Sequence, residues 1–247
     1  RETALCAAKD ASAMLGLFGR MRAATGDSLT AFEIINRFAF DITVEHIESC
    51  TDPFAQNHGQ YALIEVSGMS KDLREVLETT LNQALADGVI EDAVIAESGT
   101  QADDIWRLRE TIPEAQKFVG ASVKHDVSVP VSSVPEFLSR ATALVKNTLP
   151  GSRVCAFGHA GDGNIHFDLS QPTHMEDEAF LAKRHDINRQ IHDLVMTMDG
   201  SFSAEHGIGV LKRDDLARYK SGVEIDLMRQ LKQTLDPDNL LNPGKVL

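Results

Sequence analysis

The chain has 247 residues, of which 43% are hydrophobic and 25% charged, as is ordinary for one large globular domain or two small ones. Its net charge of −13 argues against nucleic-acid binding, because no basic surface is available to neutralise phosphates. The three cysteines are far apart and lack CxxC spacing, which argues against a disulfide framework. The sequence has no signal peptide and no apolar run of about 18 residues, which argues against a membrane span. We therefore expect a cytoplasmic protein.

The first part of the sequence alternates between strand and helix patterns. Short apolar runs predict strands over Thr3–Ala8, Leu29–Ile34, Tyr61–Val66 and Val89–Ala96. Apolar residues spaced three and four apart predict helices over Asp10–Ala24 and Asp72–Ala86. Arg37–Ile47 fits either pattern. The resulting order predicts an α+β fold of the ferredoxin-like type, in which helices pack on a mainly antiparallel sheet.

The second part of the sequence nearly repeats that order. Further strands are predicted over Ala121–Val131, Arg153–Phe157 and Asn164–Leu169. Further helices are predicted over Ser133–Lys146 and Thr173–Met198, with a connecting helix over Asp103–Ala115. The tail after Asp236 is rich in Pro, Asn and Gly and is typical of an ordered loop. We therefore expect one domain over residues 1–247, with an internal duplication as one interpretation.

A glycine-rich segment between two apolar strands carries two histidines. Residues 158–166 read GHAGDGNIH and predict a hairpin in which His159 leaves one strand as His166 enters the next. Strand alternation places Asn164, His166 and Asp168 on one face, and a polar face is costly there unless it binds something. A metal site and a polar hairpin with two surface histidines are about equally supported by this segment alone.

A second glycine-containing segment, residues 200–209, reads GSFSAEHGIG and follows a predicted helix. Glu205 could complete a site of two histidines and one carboxylate, which suits Zn²⁺, Mn²⁺ or Fe²⁺. His206 could then act as a general base near neutral pH. The alternative is a solvated Glu–His pair at a helix exit, and the segment alone favours that alternative.

Cations occur in two further segments. Arg107 and Arg109 lie on the connecting helix, and Lys124 begins the strand sequence KHDVSVP. Such side chains can bind carboxylates. For Arg107 a surface position is the better interpretation, and for Lys124 a surface position and a carboxylate-binding role are equally supported. Asp126 is more typical of a structural hydrogen-bonding residue than of a catalytic one.

Five segments together resemble, in the family's order, the C-terminal domain of the FAD-linked oxidases that share a fold with vanillyl-alcohol oxidase. They are WRLRETIPEA (106–115), VKHDVSVP (123–130), GHAGDGNIHFDL (158–169), GSFSAEHGIG (200–209) and LDPDNLLNPGK (235–245). Members include D-lactate, glycolate and D-2-hydroxyglutarate dehydrogenases. The stretch around Lys124 and the EHGIG loop are most similar to the D-2-hydroxyglutarate dehydrogenase branch.

The resemblance implies a metal site and a catalytic base. The residues matching the metal ligands are His159, His166 and Glu205, and we expect the divalent metal to be zinc. The residue matching the candidate base is His206, which lies beside substrate and flavin in that family.

The resemblance also implies substrate and flavin contacts. The residues at the substrate positions are Arg109, Lys124 and Asp168, and the loop of Asn242 is expected close to the flavin. Two positions differ from the dicarboxylate-specific branch, because Asp168 stands where Asn is usual and Pro113 where Thr is usual. These differences bear on which hydroxy acid is bound more than on the class of reaction.

The implied reaction is oxidation of a D-2-hydroxy acid to a 2-oxo acid, with His206 taking the hydroxyl proton and FAD accepting the hydride. Nothing in residues 1–247 resembles the family's N-terminal FAD-binding domain. We therefore expect these residues to be the substrate-binding domain, to bind FAD weakly or not at all, and to be inactive alone. The expected partners are a small 2-hydroxy acid, the FAD domain of the same polypeptide and an unidentified electron acceptor, with a homodimer as one expected assembly.

Two alternatives from other classes remain open at this point. A stand-alone zinc-dependent hydrolase could use the same three ligands to activate water, and hydrolysis by the chain alone would favour it. A non-catalytic module that binds a metal or an organic acid would be favoured by a reading frame that encodes no flavin domain.

Overall fold

One antiparallel sheet forms the centre of the molecule in the computed structural model, which describes residues 1–70 and 72–247. Its strands, in chain order, are β1 (Glu2–Ala8), β2 (Leu29–Asn36), β3 (Gln60–Val66), β4 (Asp92–Ile95), β5 (Ser122–Val123), β6 (Asp126–Ser128), β7 (Arg153–His159) and β8 (Asn164–Ser170). They lie in the order β4-β1-β3-β2-β7-β8-β5, and β6 also pairs with β8. The strand pairs of the described residues are all antiparallel, which confirms the predicted fold class.

Helices cover both faces of this sheet. They are, in chain order, α1 (Ala11–Thr25), α2 (Arg37–His46), α3 (Leu73–Ala86), α4 (Gly99–Glu110), α5 (Ile112–Ala115), α6 (Val134–Thr148), α7 (Asp177–Leu181), α8 (Arg184–Met196), α9 (Arg213–Tyr219) and α10 (Gly222–Leu235). Helices α1, α3, α6 and α8 pack in one apolar layer, as a ferredoxin-like fold requires. Helices α2, α4 and α5 form a second layer on the opposite face. Among the described residues, none of these helices is both long and apolar enough to cross a bilayer.

The sheet consists of two ferredoxin-like halves. The first half has the order β4-β1-β3-β2, and the second has β6-β8-β7. In the second half, an isolated bridge between Ser128 and Ser201 occupies the position that β4 holds in the first. The halves meet at a seam between β2 and β7, where Glu33 lies opposite His159 and Ile35 opposite Phe157. This arrangement agrees with the interpretation of an internal duplication.

Alternation along β2 decides which of its side chains face the second apolar layer. Phe32 and Ile34 belong to the layer of α1 and α3, whereas Ile35 belongs to the layer of α2 and α4. Glu33 shares the face of Ile35, so a carboxylate that is only 1% exposed lies at the edge of an apolar layer. Such a group needs polar partners to be tolerated there.

Three predicted elements are divided in the structure. The predicted helix Asp103–Ala115 is α4 followed by α5, because Pro113 has no N–H to donate to the carbonyl of Arg109. The predicted strand Ala121–Val131 is interrupted between β5 and β6, because the Asp168 carboxylate accepts the N–H of His125 at 3.2 Å. The predicted helix Thr173–Met198 begins only at α7 and restarts as α8.

Two other regions were ambiguous or unassigned from the sequence. Residues 37–47 form α2, whose first turn is capped by Asn36, which accepts the N–H of Ala39 at 3.0 Å. Helices α9 and α10 form where no element was predicted. Helix α10 begins with a capping box of Ser221 and Glu224, and its apolar side chains, four residues apart, are exposed. The tail after Asp236 has no helix or strand, as predicted.

Candidate metal and substrate site

The β7–β8 hairpin presents both histidines of the glycine-rich segment. His159 ends β7, residues 160–162 form one turn of 3₁₀ helix, and His166 lies in β8 opposite Phe157. Gly163 closes the turn with a φ of 73°. A Cβ at this position would lie 1.9 Å from the carbonyl oxygen of Val129, so only glycine permits this approach between the hairpin and the chain after β6.

The loop that carries Glu205 and His206 is fixed by one buried carboxylate. Asp126 accepts the backbone N–H of Glu205 at 2.8 Å and that of His206 at 2.7 Å, while Asn164 donates its side-chain amide to it at 3.0 Å. Burial alone would raise the pKa of Asp126, but these hydrogen bonds hold it below its ordinary value. Asp126 is therefore a charged anchor, as its sequence context indicated.

The Glu205 carboxylate lies between the two imidazoles of the hairpin. Its Oε1 is 3.4 Å from Nε2 of His159, and its Oε2 is 3.5 Å from Nε2 of His166. These two distances match the separation of ligand atoms that are each about 2.0–2.2 Å from one tetrahedral ion, so Glu205 could share a divalent cation with either histidine. Burial lowers the pKa of His166, which favours the neutral ring that a metal requires.

A second set of potential ligand atoms overlaps the first. Atoms of Asp126, His166 and His206 lie within 4.8 Å of one another. We favour the set with Glu205, because the oxygens of Asp126 already accept three hydrogen bonds. His206 is 64% exposed, with Nδ1 3.8 Å from Asp126, and it lies at the rim of the cluster.

Glu33 connects the hairpin to the connecting helix. One oxygen bonds Nδ1 of His159, and the other accepts Nε–H of Arg109 at 2.6 Å. The Arg109 guanidinium lies over the Phe157 ring, 4.7 Å from its centroid. Burial alone would raise the pKa of Glu33, but His159 and Arg109 bring it below its ordinary value. Glu33 belongs to none of the sequence motifs above, although a lone carboxylate in an apolar strand is a usable signal.

Lys124 and Asp168 lie together at the interruption between β5 and β6. Lys124 is exposed and donates from Nζ to the side chain of Gln116 at 3.3 Å. Asp168 is 3% exposed and accepts the N–H of His125. Burial raises the pKa of Asp168 to about 6, against the opposing effect of the Lys124 charge.

Asp168 should make the metal-free chain less stable as pH rises. Between its ordinary pKa of 3.8 and the folded value of about 6, the folded chain keeps a proton that the unfolded chain has released. The free energy of unfolding contributed by this group therefore falls as pH rises through that interval. We expect the free energy of unfolding of Asp168→Asn, relative to that of the parent, to rise by about 2–3 kcal/mol from pH 4 to pH 7. Urea unfolding of the variant and of the parent at both pH values measures this effect. A difference that does not change with pH would contradict this assignment.

The remaining predicted residues lie apart from this cluster. Arg107 pairs with Asp104 on its own helix at 2.6 Å, as the surface interpretation predicts. Asn242 lies in the C-terminal tail with a φ of 49°. Within residues 1–70 and 72–247, no hydrogen bond or ion pair joins Asn242 to Glu205 or His206. The tail does reach their loop, because Val246 donates its N–H to the carbonyl of Gly209 at 2.8 Å.

Comparison with known proteins places this chain in a family. A D-2-hydroxyglutarate dehydrogenase of Xanthomonas citri pv. viticola is 37% identical over 220 residues, which are 88% of this chain and 46% of that protein. The mitochondrial D-2-hydroxyglutarate dehydrogenase of Arabidopsis thaliana is 33% identical over 245 residues, or 99% of this chain and 42% of that protein. The chain thus spans less than half the length of these relatives.

A solved structure extends the comparison to the fold. Substrate-bound p-cresol methylhydroxylase superposes with a TM-score of 0.70 at 12% identity, covering 99% of this chain and 52% of that one, and it shares the fold of vanillyl-alcohol oxidase. The family model for the C-terminal domain of FAD linked oxidases matches residues 1–246. The predicted resemblance is confirmed, and the chain belongs to the FAD-linked oxidase C-terminal domain family.

Proposed function

We propose that the chain is the substrate- and metal-binding part of a FAD-dependent dehydrogenase that oxidises a D-2-hydroxy acid to a 2-oxo acid. The observation that carries the proposal is the Glu205 carboxylate between the Nε2 atoms of His159 and His166, beside the buried cation Arg109. The names of the relatives support this reaction class, and they favour it over a hydrolase or a binding module.

The proposed metal ligands are His159, His166 and Glu205, and the donor set suits zinc. Because Nδ1 of His159 contacts Glu33, we propose that Nδ1 carries the proton and that Nε2 binds the metal. A divalent metal in this site supplies Lewis acidity, which lowers the pKa of a substrate hydroxyl.

His206 is the proposed catalytic base. Its ring is exposed and lies 5.9 Å from that of His166, so it borders the space in which the substrate would sit. In this proposal His206 takes the hydroxyl proton, and the Asp126 carboxylate lies 3.8 Å from its Nδ1. We propose that FAD lies against His206 and the Asn242 loop and is held mainly by an N-terminal domain of the same polypeptide. FAD would supply the two-electron acceptor.

Arg109 and Lys124 are the proposed substrate cations. A hydroxy acid brings at least one carboxylate into a protein of net charge −13, so local positive charge must hold it. Because Arg109 uses Nε for Glu33, its two Nη groups can face a substrate carboxylate. We propose that Asp168 positions Lys124 and that the pair of cations favours a dicarboxylate such as D-2-hydroxyglutarate.

The proposal also covers the cellular setting. All three cysteines are free and buried, which suits a reducing compartment, and we propose the cytoplasm. The electron acceptor is proposed to be a separate redox partner, and a homodimer is the proposed assembly.

The full-length product of the gene provides the test of this function. It should reduce an artificial dye when given D-2-hydroxyglutarate, and His206→Asn should lower kcat by about 10²- to 10⁴-fold, because the hydroxyl proton loses its acceptor. His185→Asn, an exposed histidine on α8, is the matched control and should retain full activity. A parent enzyme without activity on any D-2-hydroxy acid would overturn the proposal, and an unchanged kcat in His206→Asn would remove His206 from it.

A further inference from the structure

Glu33 lies at the seam between the two halves of the sheet. It belongs to the first half, and its cross-strand partner His159 belongs to the second. The Glu33 side chain is 1% exposed, and both of its oxygens are occupied. A buried carboxylate in an apolar strand destabilises the fold unless its partners compensate, so those partners indicate what it does.

The two oxygens of Glu33 hold two different parts of the site. Oε1 contacts Nδ1 of His159, whose Nε2 faces Glu205. Oε2 accepts Nε–H of Arg109, whose guanidinium is also held over Phe157. A single rigid group therefore fixes the ring of a metal ligand and the plane of a substrate cation.

We infer that Glu33 is a positioning residue that sets the metal-binding tautomer of His159 and aims Arg109 at the same substrate. This inference rests on the proposed function and adds a residue that does not itself contact substrate. With Nδ1–H bound to a carboxylate, the imidazole can offer only Nε2, and its orientation is fixed. With Nε bound, the free edge of the guanidinium is the one that carries both Nη groups.

Zinc titration of the 247-residue chain tests the first part of the inference. Glu33→Gln should weaken zinc binding by about 10- to 100-fold, because the amide cannot hold both donors as the carboxylate does. Glu65→Gln is the matched control, since Glu65 accepts Nε1–H of Trp106 at 3.0 Å but contacts neither His159 nor Arg109. It should bind zinc as the parent does, while His166→Ala should lose zinc binding.

The possible results separate the inference from the function on which it rests. A parent chain that takes up no zinc overturns the proposed metal site, whereas equal zinc affinity in a folded Glu33→Gln variant overturns only the inference. If Glu33→Gln fails to fold, nitrogen chemical shifts of the His159 ring in the zinc-loaded parent decide the question. The expected result is zinc on Nε2 and a proton on Nδ1, and the opposite tautomer overturns the inference.

Ligand binding by the zinc-loaded chain tests the second part. We expect the parent to bind D-2-hydroxyglutarate more tightly than D-lactate, because Arg109 meets the additional carboxylate. Glu33→Gln should reduce that ratio by about tenfold, since the charge-assisted contact of Arg109 with the second carboxylate would be weakened. An unchanged ratio of the two affinities would show that Glu33 does not orient Arg109 toward the substrate.

Discussion

Replacing Gly163 by alanine is expected to destabilise the fold by about 2–5 kcal/mol, because two effects add at this residue. A φ of 73° is unfavourable for an L-residue by about 1–2 kcal/mol. The new Cβ would also lie 1.9 Å from the Val129 carbonyl oxygen, so the hairpin must move away from the chain after β6, which costs about 1–3 kcal/mol more. Urea unfolding measures the loss.

Gly88 provides the matched control for this prediction. It has a similar φ of 67°, but a Cβ there has no atom within 4 Å. Gly88→Ala should therefore lose only the conformational part, about 1–2 kcal/mol. The same movement of the hairpin should displace His159 and His166, so the Gly163 variant should also lose metal affinity, unlike the Gly88 variant. Equal losses of stability in the two variants would refute the steric explanation.

Replacing Asp126 by alanine is expected to have the second large effect, a loss of about 3–5 kcal/mol. Three donors would lose a buried, charged acceptor: the backbone N–H groups of Glu205 and His206 and the side-chain amide of Asn164. Because the Glu205 loop would no longer be fixed, metal affinity should fall together with the free energy of unfolding.

Asp236 provides the control that separates the loss of stability from the loss of metal affinity. It is also buried and accepts two backbone N–H groups, from Leu240 at 2.8 Å and Leu241 at 2.9 Å, but it lies in the C-terminal tail. Asp236→Ala should lower the free energy of unfolding and leave metal affinity unchanged. If Asp126→Ala kept the metal affinity of the parent while being folded, Asp126 would have no role in positioning Glu205.

The sequence predicted those elements whose formation depends on local pattern. The apolar runs of β1, β3 and β8 and the helical spacing of α1 and α3 are visible without tertiary information. The sequence could not show where a side chain replaces a backbone partner, as Asp168 does when it interrupts the strand before Asp126. Helix α10 was not predicted, although its capping box of Ser221 and Glu224 and its apolar side chains four residues apart are local signals in the sequence.

Some residues of the proposed site can also be predicted from local sequence, and others cannot. The histidines and Glu205 belong to glycine-containing segments with recognisable spacing, and the structure places Glu205 next to each histidine. Glu33 is distant in sequence from both of its partners: the pairing of β2 with β7 brings it to His159, and the packing of α4 on the sheet brings it to Arg109. Lys124 and Asp168 lie on neighbouring segments only because β5 pairs with β8, which a single sequence does not specify.

The seam also has a consequence for the order in which the protein folds. Each half of the sheet is continuous in sequence, so its helices and hairpins can form before the halves meet. The contact between Glu33 and His159 spans 126 residues and closes only at that last step. Closing a long loop costs more conformational entropy, so contacts between residues distant in sequence form late in folding. Helical structure should therefore return early during refolding, and the part of the metal affinity that depends on Glu33 should return only when the two halves have joined.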